Sequence, residues 1–319
     1  MPRLGSHLSI AGGMVNALNA ARELGMDCVQ VFTKNQRRWD AKPLDAEAID
    51  AWNTVLQEMG WDDPASGRVV SHNSYLINMA SPDSAMRTKS INAQRDEVER
   101  CETLQIPFLV SHPGAHLGKA RPRGDVNALG EPPKKDELAG LKRIAKSLDH
   151  VHKDTAGCKV TTCLETTVGS GTNLGYDFQH LAWLRDNVAD PERIAFCLDT
   201  CHVTAAGYDG STAKRAQAVL ADFDTTCGLA NLRVIHLNDS IGALGSRLDR
   251  HAHIGDGCCG NALFEAILNA EDLAESPMIL ETAKEETADG RKWDEVNLER
   301  LRGFVRRGVA RTSQPSGTR

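Results

Sequence analysis

Short apolar runs rich in β-branched residues recur along nearly the whole chain, and between them the apolar spacing switches to a helical period. Eight runs read as strands: residues 4–9, 28–33, 68–72, 107–112, 159–165, 194–199, 232–237 and 277–281. Met14, Leu18, Ala21 and Leu24 share one helical face that Gly25 closes, and Ile49, Trp52, Leu56 and Met59 repeat the pattern before Gly60. Ser81-Pro82-Asp83 is a helix start, and Leu138, Leu141, Ala145 and Leu148 mark another apolar face. A last helix is expected from about Trp293 to Val309. Eight strands, each followed by a helical stretch, predict a (β/α)8 TIM barrel in one domain over residues 1–310, with a doubly wound sheet as the competing layout. Residues 118–135, rich in Gly, Pro and charge, read as a surface loop, and 311–319 as a disordered C-terminal tail.

The ends of the runs carry the chemistry. The first run carries His7, the third ends at His72, the fourth at His112 and the fifth at Glu165. The sixth ends at Asp199, the seventh carries His236 and the eighth ends at Glu281. In a barrel all these ends open onto one face, where active sites sit. A lone His at a strand end is more often a hydrogen-bonded core residue than a ligand, but six such residues at one mouth are poorly explained that way. Imidazoles and carboxylates together suit Zn, Mn or Fe, and the set has more donors than one ion needs. His7 is read as a residue that donates to a ligand rather than binding itself. His150, His152 and His180 fall in predicted helices and are expected to be solvated, while His116 and His253 stay open.

Beyond the seventh run, GSRLDRHAHIGDG (245–257) places Asp249 and His251 two residues apart, pointing the same way in extended chain. That spacing gains weight beside His202. In CLDTCH (197–202), alternation puts Cys197 and Asp199 on one side. Cys197 is then barrel filling, Cys201 a bystander at the turn, and Asp199 and His202 the working pair.

Composition sets limits. The chain has 319 residues, 41% hydrophobic and 25% charged, with no run of ~18 apolar residues that would suggest a membrane span. It lacks a basic segment followed by an apolar one at its start, and its nine scattered cysteines form no CxxC pair. A reducing cytoplasm is expected, and the adjacent Cys258 and Cys259 are not expected to bridge. The formal net charge of −6 argues against nucleic acid, unless bound cations offset it.

The motifs SHNSYLINMA (71–80), SHPGAH (111–116), LETTVGSGTNLG (164–175), CLDTCHVTAAGYD (197–209), HLNDSIGALGSRLDRHAHIGDG (236–257) and ILET (279–282) resemble endonuclease IV, the metal-dependent apurinic/apyrimidinic endonuclease family. GSHLSIAGGMVNAL and VFTKNQRRW match as well, so the resemblance runs from about Gly5 to Thr282. It implies a TIM barrel with three zinc ions, Mn or Fe being alternatives at one site, that cuts DNA 5′ to abasic sites. The expected products are a 3′-hydroxyl and a 5′-deoxyribose phosphate, and removal of 3′-blocking groups is also implied. Carried over, His72 and His112 hold the first ion, and Glu165 bridges to the second and orients the attacking hydroxide. Asp199, His236 and Glu281 complete the second, and His202, Asp249 and His251 hold the third. Three such ions would add +6, equal and opposite to the formal −6. Arg37 resembles the family's inserting arginine, and Tyr75 and Leu76 its inserting pair, which kink the duplex and let the abasic sugar swing out. The partner is then double-stranded DNA with abasic sites or blocked 3′ ends, handled by a monomer at the nucleoid and away from membranes.

The chain departs from the pattern at Thr166, Val168, Ala252, His253, Cys258 and Cys259, but at none of the nine implied ligands. A barrel sugar isomerase or epimerase would share the metal-lined mouth but leave His202, Asp249, His251, Arg37, Tyr75 and Leu76 without work. A non-enzymatic DNA-damage binder with structural zinc would favour closed, cysteine-rich sites.

Overall fold

The computed structural model describes residues 1–120, 122 and 129–306. In chain order the elements are β1 (Arg3–His7), α1 (Val15–Glu23), β2 (Cys28–Val31), α2 (Ala46–Met59), β3 (Val69–His72), α3 (Ser84–Thr103), β4 (Phe108–Ser111) and α4 (Lys135–Asp154). There follow β5 (Thr161–Glu165), α5 (Phe178–Asp186), β6 (Ile194–Asp199), α6 (Thr200–Ala206), α7 (Ala213–Cys227), β7 (Leu232–His236), β8 (Asp239–Ser240) and β9 (His251–Ala252). The last three are α8 (Asn261–Leu268), β10 (Pro277–Leu280) and α9 (Trp293–Phe304). Eight parallel strands close in the order β1-β10-β7-β6-β5-β4-β3-β2, a TIM barrel rather than a doubly wound sheet.

The helix signals act through local chemistry. Asp45 and Asp83 each accept a hydrogen bond from a backbone N–H of the first turn of α2 and α3. Gly60 ends α2 with φ +65°, a left-handed conformation that costs glycine little. Gly5 is fixed by space: a Cβ there would lie 1.9 Å from the Cys28 carbonyl oxygen of the neighbouring strand.

Two hydrophobic layers result. Val70, Phe108, Val110, Cys163, Ala195, Cys197 and Val234 fill the barrel interior, so Cys197 is filling, as alternation predicted. The helices pack a larger apolar layer outside, around Trp52, Phe178, Phe196, Phe223 and Phe264.

Several expectations need correction. β3, β5 and β6 end at the predicted His72, Glu165 and Asp199, but the other barrel strands stop short: β4 ends at Ser111 and β10 at Leu280, so His112 and Glu281 stand one residue past the ladder, where the chain turns into its loop. The last helix ends at Phe304, because Val305 turns extended, with ψ 121°. His152 and His180 are buried, not solvated, since both lie on faces of α4 and α5 that pack inward. The β8–β9 pairing went unseen because two-residue strands carry no readable period. The expected tail at 311–319 and the middle of the 118–135 loop lie outside the described residues.

Candidate metal centre

Strand alternation builds the inner ring. Side chains two residues apart on a strand share a face. The interior residues Val70, Val110, Cys163, Cys197 and Val234 are therefore followed, one step nearer the mouth, by His72, His112, Glu165, Asp199 and His236. Glu165, Asp199 and His236 are fully buried, and His72 nearly so.

Glu165 stands at the middle. Its Oε2 lies 2.8 Å from His112 Nε2 and 3.3 Å from His72 Nε2. Its Oε1 lies 2.9 Å from His236 Nδ1, which is 3.1 Å from Glu281 Oε2 and 3.8 Å from Asp199 Oδ2. One carboxylate thus faces two donor sets, His72–His112–Glu165 and Glu165–Asp199–His236–Glu281. The third set, His202–Asp249–His251, stands on α6, the loop after β8 and β9. His202 Nε2 and His251 Nε2 lie 3.3 Å and 3.8 Å from Asp249 Oδ1.

Hydrogen bonds from the far side fix the tautomers of four of the five rings, His72, His202, His236 and His251. His72 Nδ1 donates to the Asn73 carbonyl at 2.8 Å, and His202 Nδ1 to the Thr166 carbonyl at 2.8 Å. His251 Nδ1 donates to the Glu281 carbonyl at 3.3 Å. Each leaves an Nε2 lone pair facing its set. His236 is turned the other way: its Nε2 donates to Gln30 Oε1 at 2.9 Å, leaving Nδ1 inward.

Burial opposes ionisation of Glu165, yet His112 and His236 hold its carboxyl well below the usual range. Glu281 is held low against burial in the same way, mainly by His236. Burial also opposes charge on His202 and His236, but Asp199 beside the first, and Cys197, Glu281 and Glu165 beside the second, raise both well above 6.5. Buried carboxylates that draw protons onto the facing imidazoles, beside a buried His251 Nε2 without a hydrogen-bond partner, fit divalent cations, which would take the place of those protons.

Gln30 escaped the sequence reading. It is fully buried on β2, bonds His236, and donates to Glu281 Oε1 at 2.6 Å and His7 Nδ1 at 2.9 Å. Asn238 was missed too: it donates to Asp199 Oδ2 at 2.7 Å and accepts from the Glu281 N–H at 2.7 Å. Thr166, one of the departures, accepts from the Asp199 N–H at 2.9 Å. His7 sits against Phe32 at 4.3 Å and reaches Glu281 at 3.5 Å. His253 belongs to none of the donor sets among the described residues; it stacks on Trp293 at 3.7 Å and accepts from Asn297 at 3.1 Å. His116 is buried and accepts from the Gly118 N–H.

The loops above the ring carry the remaining candidates. Arg37 is exposed after β2, and Leu76 is half-buried after β3. Tyr75 is 60% exposed, with its ring 5.3 Å from that of His72. It stands between two cavities. One, of about 540 Å³, includes His7, Phe32, Lys34, Glu281 and Lys284 in its lining; the other, of about 350 Å³, includes His72, His112, Asn173 and Asp249.

A family model described as a xylose isomerase-like TIM barrel matches residues 18–303. The probable endonuclease 4 of Chloroflexus aurantiacus is 43% identical over 306 residues, covering 96% of this chain and 99% of that protein. The chain belongs to the endonuclease IV family. The probable endonuclease 4 of Geobacter sulfurreducens is 39% identical over 95% of each chain. The crystal structure of endonuclease IV from Thermus thermophilus superposes with a TM-score of 0.77 at 31% identity, covering 95% of this chain and 98% of that one. A D-tagatose 3-epimerase-like protein superposes with a TM-score of 0.66 at 16% identity, a likeness of fold alone. Among the described residues no helix is long and apolar enough to cross a membrane.

Proposed function

We propose that this endonuclease IV family member hydrolyses the DNA phosphodiester 5′ to abasic sites, using three divalent ions, with zinc favoured by the His and carboxylate donors. The observation that carries the reading is the convergence of three donor sets at one mouth, two of them sharing Glu165. In this reading His72, His112 and Glu165 hold one ion, and Glu165, Asp199, His236 and Glu281 the next. His202, Asp249 and His251 hold the third. Bound divalent ions lower the pKa of water, polarise the phosphoryl oxygens and neutralise charge on the leaving oxygen.

The chain's own residues do the rest. Glu165 would serve both inner sets, since its Oε2 faces His72 and His112 while its Oε1 faces His236. Gln30 and Asn238 orient His236, Glu281 and Asp199 so that one donor atom of each faces inward. Tyr75, Leu76 and Arg37 wedge into the duplex from the loops, and the unpaired abasic sugar turns out toward the ring at little cost in base pairing. Products with a 3′-hydroxyl and a 5′-deoxyribose phosphate follow, and removal of 3′-blocking groups uses the same ring. The domain is assigned to residues 1–310.

The test is a duplex carrying one tetrahydrofuran abasic analogue. A single cut on its 5′ side, lost on chelation, is expected. An uncut strand with protein shown by elemental analysis to be fully metal-loaded would overturn the reading.

A further inference from the structure

Both thiols of the Cys197–His202 stretch reach donor atoms of the mouth, and they reach different ones. Cys197 groups with Glu165 and His236, whereas Cys201 groups with Asp199 and His251, the donor atoms within each group lying within 4.8 Å of one another. Cys201 is fully buried, and its thiol makes a 3.7 Å contact with the carbonyl of Arg250, the residue before His251. His251 Nε2 is buried and has no hydrogen-bond partner. That nitrogen lies 3.6 Å from Asp199 Oδ2 and 3.8 Å from Asp249 Oδ1. One imidazole therefore stands between two donor sets, His202–Asp249–His251 and Asp199–Cys201–His251, and its single lone pair serves one at a time.

We infer that Asp199, Cys201 and His251 form a soft-ion site, which a thiophilic divalent cation such as Cd2+ takes in preference to the His202–Asp249–His251 set. On binding, the Cys201 S–H bond breaks, its proton leaves to solvent, and the sulfur electron pair forms the bond to the ion; nothing is oxidised or reduced. The thiolate and Asp199 bring two negative charges against the single charge of Asp249, which matches a divalent ion in a buried place. Thiolate sulfur also selects soft ions over the hard ones that oxygen and nitrogen sets hold. The consequence is competitive. An ion here withdraws His251 from the outer set and Asp199 from the inner one, so it poisons the mouth without entering either set.

The inference rests on the reading that the mouth takes divalent ions, and one titration separates the two. Metal-free protein is titrated with Cd2+ while the ultraviolet thiolate-to-cadmium charge-transfer band is recorded, and zinc uptake is counted in parallel. The wild type is expected to develop the band with the first equivalent. Cys201→Ser and Cys201→Ala should lose it and still take up zinc, while Cys197→Ser and Cys258→Ser keep it. Circular dichroism verifies that each variant is folded. A band that survives in both Cys201 variants, that vanishes in Cys197→Ser or Cys258→Ser, or that never forms overturns the inference. Failure of the wild type to bind zinc would instead sink the reading of the centre itself.

Discussion

The inner ring and the outer donor set are built by different means. The ring is carried by barrel strands, and its central residues, Glu165, Asp199 and His236, are fully buried. Gln30, Asn238 and the Asn73 carbonyl hold His236, Glu281, Asp199 and His72 by hydrogen bonds. The outer set hangs on a short helix and a loop closed by a two-residue ladder, and its Asp249 side chain is 50% exposed. The segment that follows β9 is pinned instead: Asp239 accepts from the N–H groups of Gly255, Gly257 and Cys259, and a Cβ at Gly257 would lie 2.5 Å from the Asp239 carboxylate. The contrast teaches that one mouth can join a buried site set by the barrel's pleat to a more exposed one set by a short helix and a loop.

Substitutions sharpen the contrast in order of effect. Glu165→Gln takes a charge from both inner sets, and single-turnover incision of an abasic duplex is expected to fall by roughly a thousandfold or more, with a native circular dichroism spectrum. Asp249→Asn should remove the outer ion alone. Incision falls by about a hundredfold, and elemental analysis finds one ion fewer than in the wild type. Equal metal content in Asp249→Asn and the wild type would break the comparison.

Gln30→Leu probes how far the ring depends on its surroundings. It leaves His236 and Glu281 without a common partner, and zinc affinity of the inner ring is expected to drop about 10- to 100-fold by competition with a chelator. The outer set should keep its affinity. Arg37→Ala is expected to weaken binding of an abasic duplex by about tenfold while binding of undamaged duplex changes less, measured by fluorescence anisotropy. Equal loss on both duplexes would reject insertion in favour of simple phosphate contact.

The smallest effect on incision is expected from His152, on the outer side of the barrel wall. Burial lowers its pKa to about 4, and neither ring nitrogen has a hydrogen-bond partner. The unfolded chain, with an ordinary His pKa of about 6.5, binds more protons in the window between those values, so folded stability falls as pH drops from about 6.5 to 4. His152→Phe should flatten that fall by about 2 kcal/mol in urea melts and leave incision at neutral pH unchanged.

The same contrast explains what could be read from the chain. Barrel and inner ring were legible because period-2 alternation places His72, Glu165, Asp199 and His236 just beyond apolar residues of the same face. That logic also reaches Gln30, two residues after the inward Cys28. Gln30 was passed over because a neutral amide carries no signal of metal chemistry. The Asp249–His251 spacing was weak evidence by itself, and the resemblance supplied the rest, since loop residues lack a period that tells where they point. His152 and His180 were misplaced for a related reason: a polar side chain on a helix reads as solvated until the packing of its neighbour is known.

The most direct measurement is anomalous scattering at the zinc absorption edge from crystals of the zinc-loaded protein. One peak is predicted in each of the three donor sets, two flanking Glu165 and the third beside Asp249. Peaks absent from the inner ring, in protein that cuts abasic DNA, would contradict the account.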